Sequence, residues 1–248
     1  MRTVQFTRGE GGELMTHKQT SVEQDEDLAQ VVRGHGPCTY LLFSLVALIL
    51  IYPYLKETIF SRIILGLIYT AVFIGGAYAV GRDKRKLHIG LGLAFTAIGL
   101  QWAHFITHDV WLERIRVVIY IIFLLFTIGE VLAYLLKKGP ITADKLHGAL
   151  AGYMMLALLW AFLYALIENF TPGSFQLGGT QLGETGEFRH LLYFSFTTLT
   201  TTGFGDITPV SAQARSLVII EEFTGVFFVG VLIARLAGLY PPQKGRAP

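Results

Sequence analysis

The chain has 248 residues, of which 52% are hydrophobic and only 15% charged, against about 25% charged in ordinary soluble domains. Its 20 basic and 18 acidic side chains nearly cancel at a formal +2, which excludes a nucleic-acid binder working by bulk basicity, and its apolar and aromatic content excludes a disordered chain. The single cysteine, Cys38, excludes an internal disulfide framework and any multi-cysteine metal site.

Residues 1–37 are polar, with an acidic run at Glu23, Asp25, Glu26 and Asp27. No apolar core follows a basic stretch there, so this part reads as a cytoplasmic tail and not as a signal peptide. Six apolar stretches come next, at 37–54, 59–80, 87–106, 115–136, 146–170 and 214–239. Each is near the ~20 residues that a bilayer-crossing helix needs. The first four are expected to form one unit over 38–138 and the last two to bracket a second over 139–240. A short tail, 241–248, follows, so no ligand-binding domain is expected after the last span.

The placement of basic residues near the spans orients them. Arg82, Lys84, Arg85, Lys86, Lys137, Lys138, Lys145, Arg235, Lys244 and Arg246 all fall on one side if six spans are counted. Only Lys56, Arg62, Arg114, Arg116, Arg189 and Arg215 fall on the other. Both termini are therefore expected in the cytoplasm, at the cell (plasma) membrane. The segment 171–187 then lies outside. It holds no basic residue, and Glu184, Glu187 and nearby Glu168 are expected to raise the local cation concentration.

A segment that senses the transmembrane potential needs several charges moving through the field, each worth about 2.3 kcal/mol per 100 mV. The fourth span carries Arg114 and Arg116 at its outer end only, and from Val117 to Leu136 its one charge is Glu130. Strong voltage dependence is not expected. Residues 141–147 are expected to form a short linker helix at the inner interface. His104 and His108 stand at i, i+4, but two ligands alone favour ordinary interfacial histidines over a metal site.

Between the fifth and sixth spans lies FRHLLYFSFTTLTTTGFGDITPV, Phe188 to Val210. It is too short and too interrupted to span, so it is expected to enter the membrane and return, which irregular backbone can do only inside protein or a water-filled cavity. Its first part reads as about thirteen helical residues, or ~20 Å, enough to reach mid-membrane. The carboxyl end of such a half-helix carries about half a negative charge and favours a cation there. Thr201-Thr202-Gly203-Phe204-Gly205 follows. Consecutive carbonyls can all point at one axis only if ordinary and left-handed backbone alternate, and glycine at every second position permits this. Thr201 adds a hydroxyl at the inner mouth, and four copies around an axis replace a hydration shell with protein oxygens.

The string TTLTTTGFGDITP resembles the signature of the potassium channel family, whose filter commonly reads TVGYG, and the likeness extends over about 146–239. The resemblance implies an all-α membrane protein with six transmembrane helices, a re-entrant pore helix and selectivity filter, and a homotetrameric pore. It implies that Thr201, Thr202, Gly203, Phe204 and Gly205 are the filter, with K+ held at the first four. Asp206 becomes the acidic residue just outside and Gly225 a gating hinge. Ile233, Ala234 and Ala237 become inner-pore residues, with Arg235 near the cytoplasmic mouth. Six spans with one pore loop also resemble voltage-gated architecture without its sensor arginines. The sequence departs from the family at Phe204, where Tyr is common, and at Thr202, where Val or Ile is usual. The Thr202 hydroxyl then needs a partner behind the filter.

Glu221 and Glu222 stand inside an otherwise apolar sixth span, where charges are costly and usually functional. One of them is expected to support the filter by hydrogen bonding to Thr202, Thr198 or a neighbouring subunit; the alternative is that both reach the outer interface. The expected function is passive, potassium-selective conduction by a homotetramer in the lipid bilayer, with no cofactor beyond permeant K+ and no nucleic-acid partner. A weakly selective Na+/K+ channel stays open because of Thr202. A transporter pore subunit is the reading from a different class, although such chains carry four pore-loop repeats and one is found here. No HExxH, GxSxG or paired aspartates stand in the spans, so no enzyme is expected.

Overall fold

The computed structural model describes residues 36–55, 58–80, 84–107, 109–137, 142–182 and 188–237. Seven α-helices carry the described residues: α1 (Pro37–Ile51), α2 (Ile59–Val80), α3 (Lys84–Thr107), α4 (Val110–Leu136), α5 (Ala143–Phe170), α6 (Phe188–Leu199) and α7 (Ala212–Ala237). Six of them, all but α6, are long and apolar enough to cross a membrane, with α1 counted together with the 3-10 turn Tyr52–Tyr54. The chain is a multi-pass membrane protein.

Local chemistry sets the helix starts. Pro37 opens α1 at a position where its missing N–H costs nothing. Asp109 caps α4 by accepting from the Trp111 amide at 2.8 Å, and Thr142 caps α5 by accepting from the Lys145 amide at 3.3 Å. The Thr142 cap corrects one expectation. No separate linker helix occupies 143–147; these residues are the first turn of the 28-residue α5, and Ile141 lies outside the described residues. That first turn is tied to its neighbours by side chains. Asp144 accepts from the Cys38 amide at 3.0 Å and from the Tyr134 hydroxyl at 3.1 Å, and His147 Nδ1 lies 2.8 Å from Thr39 Oγ1.

The first four helices share one apolar core with α5. Leu41 and Leu45 of α1, Phe73 of α2, Tyr120 and Phe123 of α4, and Met155 and Leu158 of α5 all lie in it. A second cluster gathers Trp160 and Tyr164 of α5, Phe194 and Leu199 of α6, and Ala214 of α7. Helix α5 is thus the shared wall of both cores. Its most apolar window is 61% buried, whereas that of α7 is only 11% buried.

A three-stranded antiparallel sheet, absent from the all-helical expectation, closes one end of the bundle. It comprises β1 (Phe175–Leu177), β2 (Thr180–Gln181) and β3 (Ile207–Pro209), in the order β2-β1-β3. Gly178 and Gly179 have φ of +55° and +84°, the positive values that a two-residue hairpin between β1 and β2 requires. The sheet pairs Leu177 with Ile207, so it fastens the segment after α5 to the residues just beyond Gly205.

Glu168 anchors this arrangement, and here the structure corrects the reading of Glu168 as a surface cation attractor. Its side chain is buried at the end of α5, accepting from the Gly173 amide at 2.6 Å and the Phe175 amide at 3.2 Å. Glu184 and Glu187 lie outside the described residues. Glu168→Ala strands two amides of the loop, and a thermal melt of the purified protein is expected to show a loss of about 2 kcal/mol. Glu168→Gln, which keeps one acceptor oxygen, is expected to lose less.

Candidate functional site

Helix α6 has 12 residues, about 18 Å at 1.5 Å per residue, and its buried side carries Leu191, Leu192, Phe194, Ser195, Thr197, Thr198 and Leu199. The chain then turns sharply. The Thr200 amide donates to Phe196 O at 3.1 Å, the Thr201 amide to Thr198 O at 2.8 Å, and the amides of Thr202 and Gly203 to Thr197 O at 2.8 and 3.2 Å. Leu199 O instead accepts from the Tyr153 hydroxyl of α5 at 3.0 Å.

Within this turn the left-handed residues fall at every second position: Thr201 with φ of +57°, Gly203 with +54° and Gly205 with +76°. Glycine adopts this backbone at little steric cost. For Thr201 the same backbone costs roughly 1–2 kcal/mol; the two bonds from Thr201 and Thr202 back into α6 hold it there. Residues 200–206 are all exposed on the single chain. The Thr202 hydroxyl finds its partner next door, 2.9 Å from Thr200 Oγ1, and not on α7.

Asp206 ends the turn. Its side chain accepts from the Ile207 amide at 3.0 Å, and its carbonyl accepts from the Gly178 amide at 2.9 Å. A hydrogen bond with Asp206 raises the Tyr193 phenol above its ordinary pKa, and the Tyr193 ring lies parallel to Phe204 at 6.4 Å. Tyr193 therefore connects α6 to both Phe204 and Asp206.

The adjacent glutamates of α7 separate. Glu221 is fully buried and Glu222 is exposed. Glu221 accepts from the Tyr164 hydroxyl through Oε2, and its Oε1 lies 2.5 Å from Ser195 Oγ. The Ser195 oxygen is also 2.7 Å from the Ala157 carbonyl of α5. The partner on α6 is thus Ser195, one turn before Thr198, and neither Thr198 nor Thr202. Thr198 is buried, with its carbonyl turned to Thr201, and bonds neither glutamate.

Gly225 lies inside an unbroken α-helix. A Cβ there would come within 2.1 Å of Leu199 O, so glycine is required by the approach of α7 to the end of α6. Further along α7, Ile233 and Ala234 are exposed, and Ala237 is the last helical residue. The Arg235 guanidinium donates to Lys137 O at 3.1 Å, pinning the end of α7 to that of α4.

The charges of α4 are held in place. Arg114 donates to Asn169 O at 3.5 Å and stacks over Trp111 and Phe170. Arg116 donates to Gln101 at 2.9 Å and lies 3.8 Å from Glu113. Glu130 forms an ion pair with Lys86 at 2.8 Å. Among the described residues no group of three or more potential metal ligands occurs, and His108 lies outside them.

Sequence reasoning passed over Tyr153, Tyr164, Tyr193 and Ser195. A signal was present for each: a phenol or hydroxyl inside an apolar helix must find a partner, and a buried glutamate must be met by donors.

Residues 152–240 match the family model described as an ion channel. Over 85 residues the chain is 34% identical to two-pore potassium channel 4 of Arabidopsis thaliana, a stretch covering 34% of this chain and 29% of that protein. The chain thus spans less than a third of the relative's length. No solved structure matches. The region that matches the ion-channel family model runs from within α5 to beyond α7.

Gly225→Ala is expected to lower stability by about 2 kcal/mol or more in thermal melts, although alanine is the better helix former. Gly129→Ala in α4, where nothing stands within 4 Å of the place its methyl group would take, is expected to raise stability by roughly 0.5–1 kcal/mol.

Proposed function

We propose that this chain is one quarter of a homotetrameric, potassium-selective channel that conducts K+ passively across the plasma membrane. The observation that carries this reading is the left-handed backbone at 201, 203 and 205, set directly at the carboxyl end of a 12-residue helix. Alternation of this kind turns successive carbonyls toward one side. Four such segments about an axis form stacked oxygen rings that replace the hydration shell of a cation. In this reading α6 is the re-entrant pore helix, 201–205 the selectivity filter, α5 the outer helix and α7 the inner helix.

The chemistry follows from the parts. The end of α6 directs its partial negative charge toward a dehydrated cation, the one place in a bilayer where that charge is most useful. Filter carbonyls take the place of water, and the Thr201 hydroxyl adds a ring at the inner entrance. Asp206 stands outside the filter, fixed by Tyr193 and the Ile207 amide. The apolar face of α7, with Ile219, Phe223, Val226 and Phe227 exposed, is supplied with cover by the other three copies and lines the inner pore through Ile233 and Ala234. Both termini face the cytoplasm. No step makes or breaks a covalent bond.

A weakly selective Na+/K+ channel is the second reading, and Thr202 favours it. Its hydroxyl is bonded to Thr200 within the same loop, so the filter has fewer links to its surroundings at that level.

Purified protein in planar bilayers with opposed K+ and Na+ gradients is expected to reverse near the K+ equilibrium potential. Reversal that ignores the K+ gradient overturns the channel assignment, and an intermediate value selects the second reading. In the same recordings open probability is expected to change less than about tenfold over 100 mV, because a single transferred charge at ~2.3 kcal/mol already gives roughly fiftyfold.

A further inference from the structure

Glu221 sits where a charge is hardest to keep. It is fully buried in α7, and among the described residues no Lys, Arg or His pairs with it. The groups that face it are Tyr164 and Tyr153 from α5 and Ser195 from α6, and its own helix adds only the acidic Glu222. Every neighbour is neutral or negative, so nothing compensates an ionised carboxylate.

Proton counting around Ser195 gives an independent argument. Its one hydroxyl proton must serve two close oxygens, Ala157 O at 2.7 Å and Glu221 Oε1 at 2.5 Å. A carbonyl can only accept. If Glu221 were ionised it could only accept as well, and one of these two contacts would set lone pair against lone pair. If Glu221 carries a proton, every oxygen is satisfied in a single order. Tyr164 donates to Glu221 Oε2, Glu221 donates through Oε1 to Ser195, and Ser195 donates to Ala157.

We infer that Glu221 is a protonated acid at neutral pH, and that its proton orders a hydrogen-bond chain binding α5, α6 and α7 together behind the 201–205 segment. Glu221 is on this account a positioning residue. It touches no permeating ion and acts through Ser195, about one turn before the end of α6. The two ends of the chain are both on α5, so Glu221 and Ser195 are clasped between Tyr164 and Ala157. The exposed Glu222 has no part in it. The consequence for ion selection rests on the channel reading, but the proton itself does not.

The test compares wild type with E221Q, E221A and S195A in the full-length protein. Glutamine keeps one donor and one acceptor in the same order, so E221Q is expected to melt as wild type does and to keep its K+ to Na+ permeability ratio within about twofold. E221A is expected to melt lower and to lose roughly fivefold in that ratio, and S195A to follow it if E221A does not assemble. Infrared spectroscopy at neutral pH supplies a readout that a merely structural role would not move. Wild type is expected to show the C=O stretch of a protonated carboxyl, and E221Q to lack it. A wild-type spectrum without that band, a band that survives in E221Q, or an E221Q variant as impaired as E221A each overturns the proposal. If wild type carries no K+ current, the channel reading fails alone, and the infrared band and the melting series still decide the protonation.

Discussion

In apolar surroundings a backbone carbonyl has no water to turn to, so the four carbonyls that end α6 must each find a donor within the protein. They do so in four different ways. Phe196 takes the Thr200 amide, Thr197 the amides of Thr202 and Gly203, Thr198 that of Thr201, and Leu199 the Tyr153 hydroxyl from another helix. The first only completes the helix, whereas the bonds to Thr197 and Thr198 fold the chain back over the helix end, with Thr201 and Gly203 in left-handed backbone. The fourth commits Leu199 to α5 and leaves its carbonyl facing α7, where only a glycine leaves room. A single requirement, pairing the end of one short helix, thus reaches three other segments.

The same requirement explains why α5 is so deeply buried. It receives the first four helices on one side and α6 on the other, and it supplies the hydroxyls of Tyr153 and Tyr164 to Leu199 and Glu221. Asp144 at its start and Glu168 at its finish both accept from backbone or hydroxyl donors of neighbouring segments. These acids organise the protein; they do not decorate its surface.

Much of this was legible in the residues. The six spans lie close to the six long helices, because length and apolarity alone define a bilayer-crossing segment. The short helix over 188–199 was also readable, since threonine and glycine stop it abruptly. Other features were hidden for physical reasons. The sheet at 175–181 and 207–209 depends on pairing between distant residues, which no local pattern encodes. Glu168 reads as a surface acid until the loop folds back to present its amides. Glu221 announced itself as unusual, but its partners lie 57 and 26 positions away in sequence. The choice of Ser195 over Thr198 turns on a single turn of helix phase. The start of α5 at Ala143 was obscured because Ala143 to His147 contains charged residues that suit an interfacial segment equally well.

The aromatic contacts give α6 a mechanical character. Its first residue, Phe188, stacks on Phe162 at 4.5 Å and meets Tyr52 edge-on at 6.0 Å. Phe162 in turn touches Tyr120, and Tyr120 touches Phe73. Rings of this kind are nearly incompressible, since protein interiors are packed as densely as organic crystals. Helix α6 is therefore a beam braced at its entry by Phe162 of α5 and Tyr52 and held near its exit by Ser195, Leu199 and Gly225. The two ends of α6 are thus held by different parts of the protein, the entry by rings and the exit by hydrogen bonds and close backbone approach.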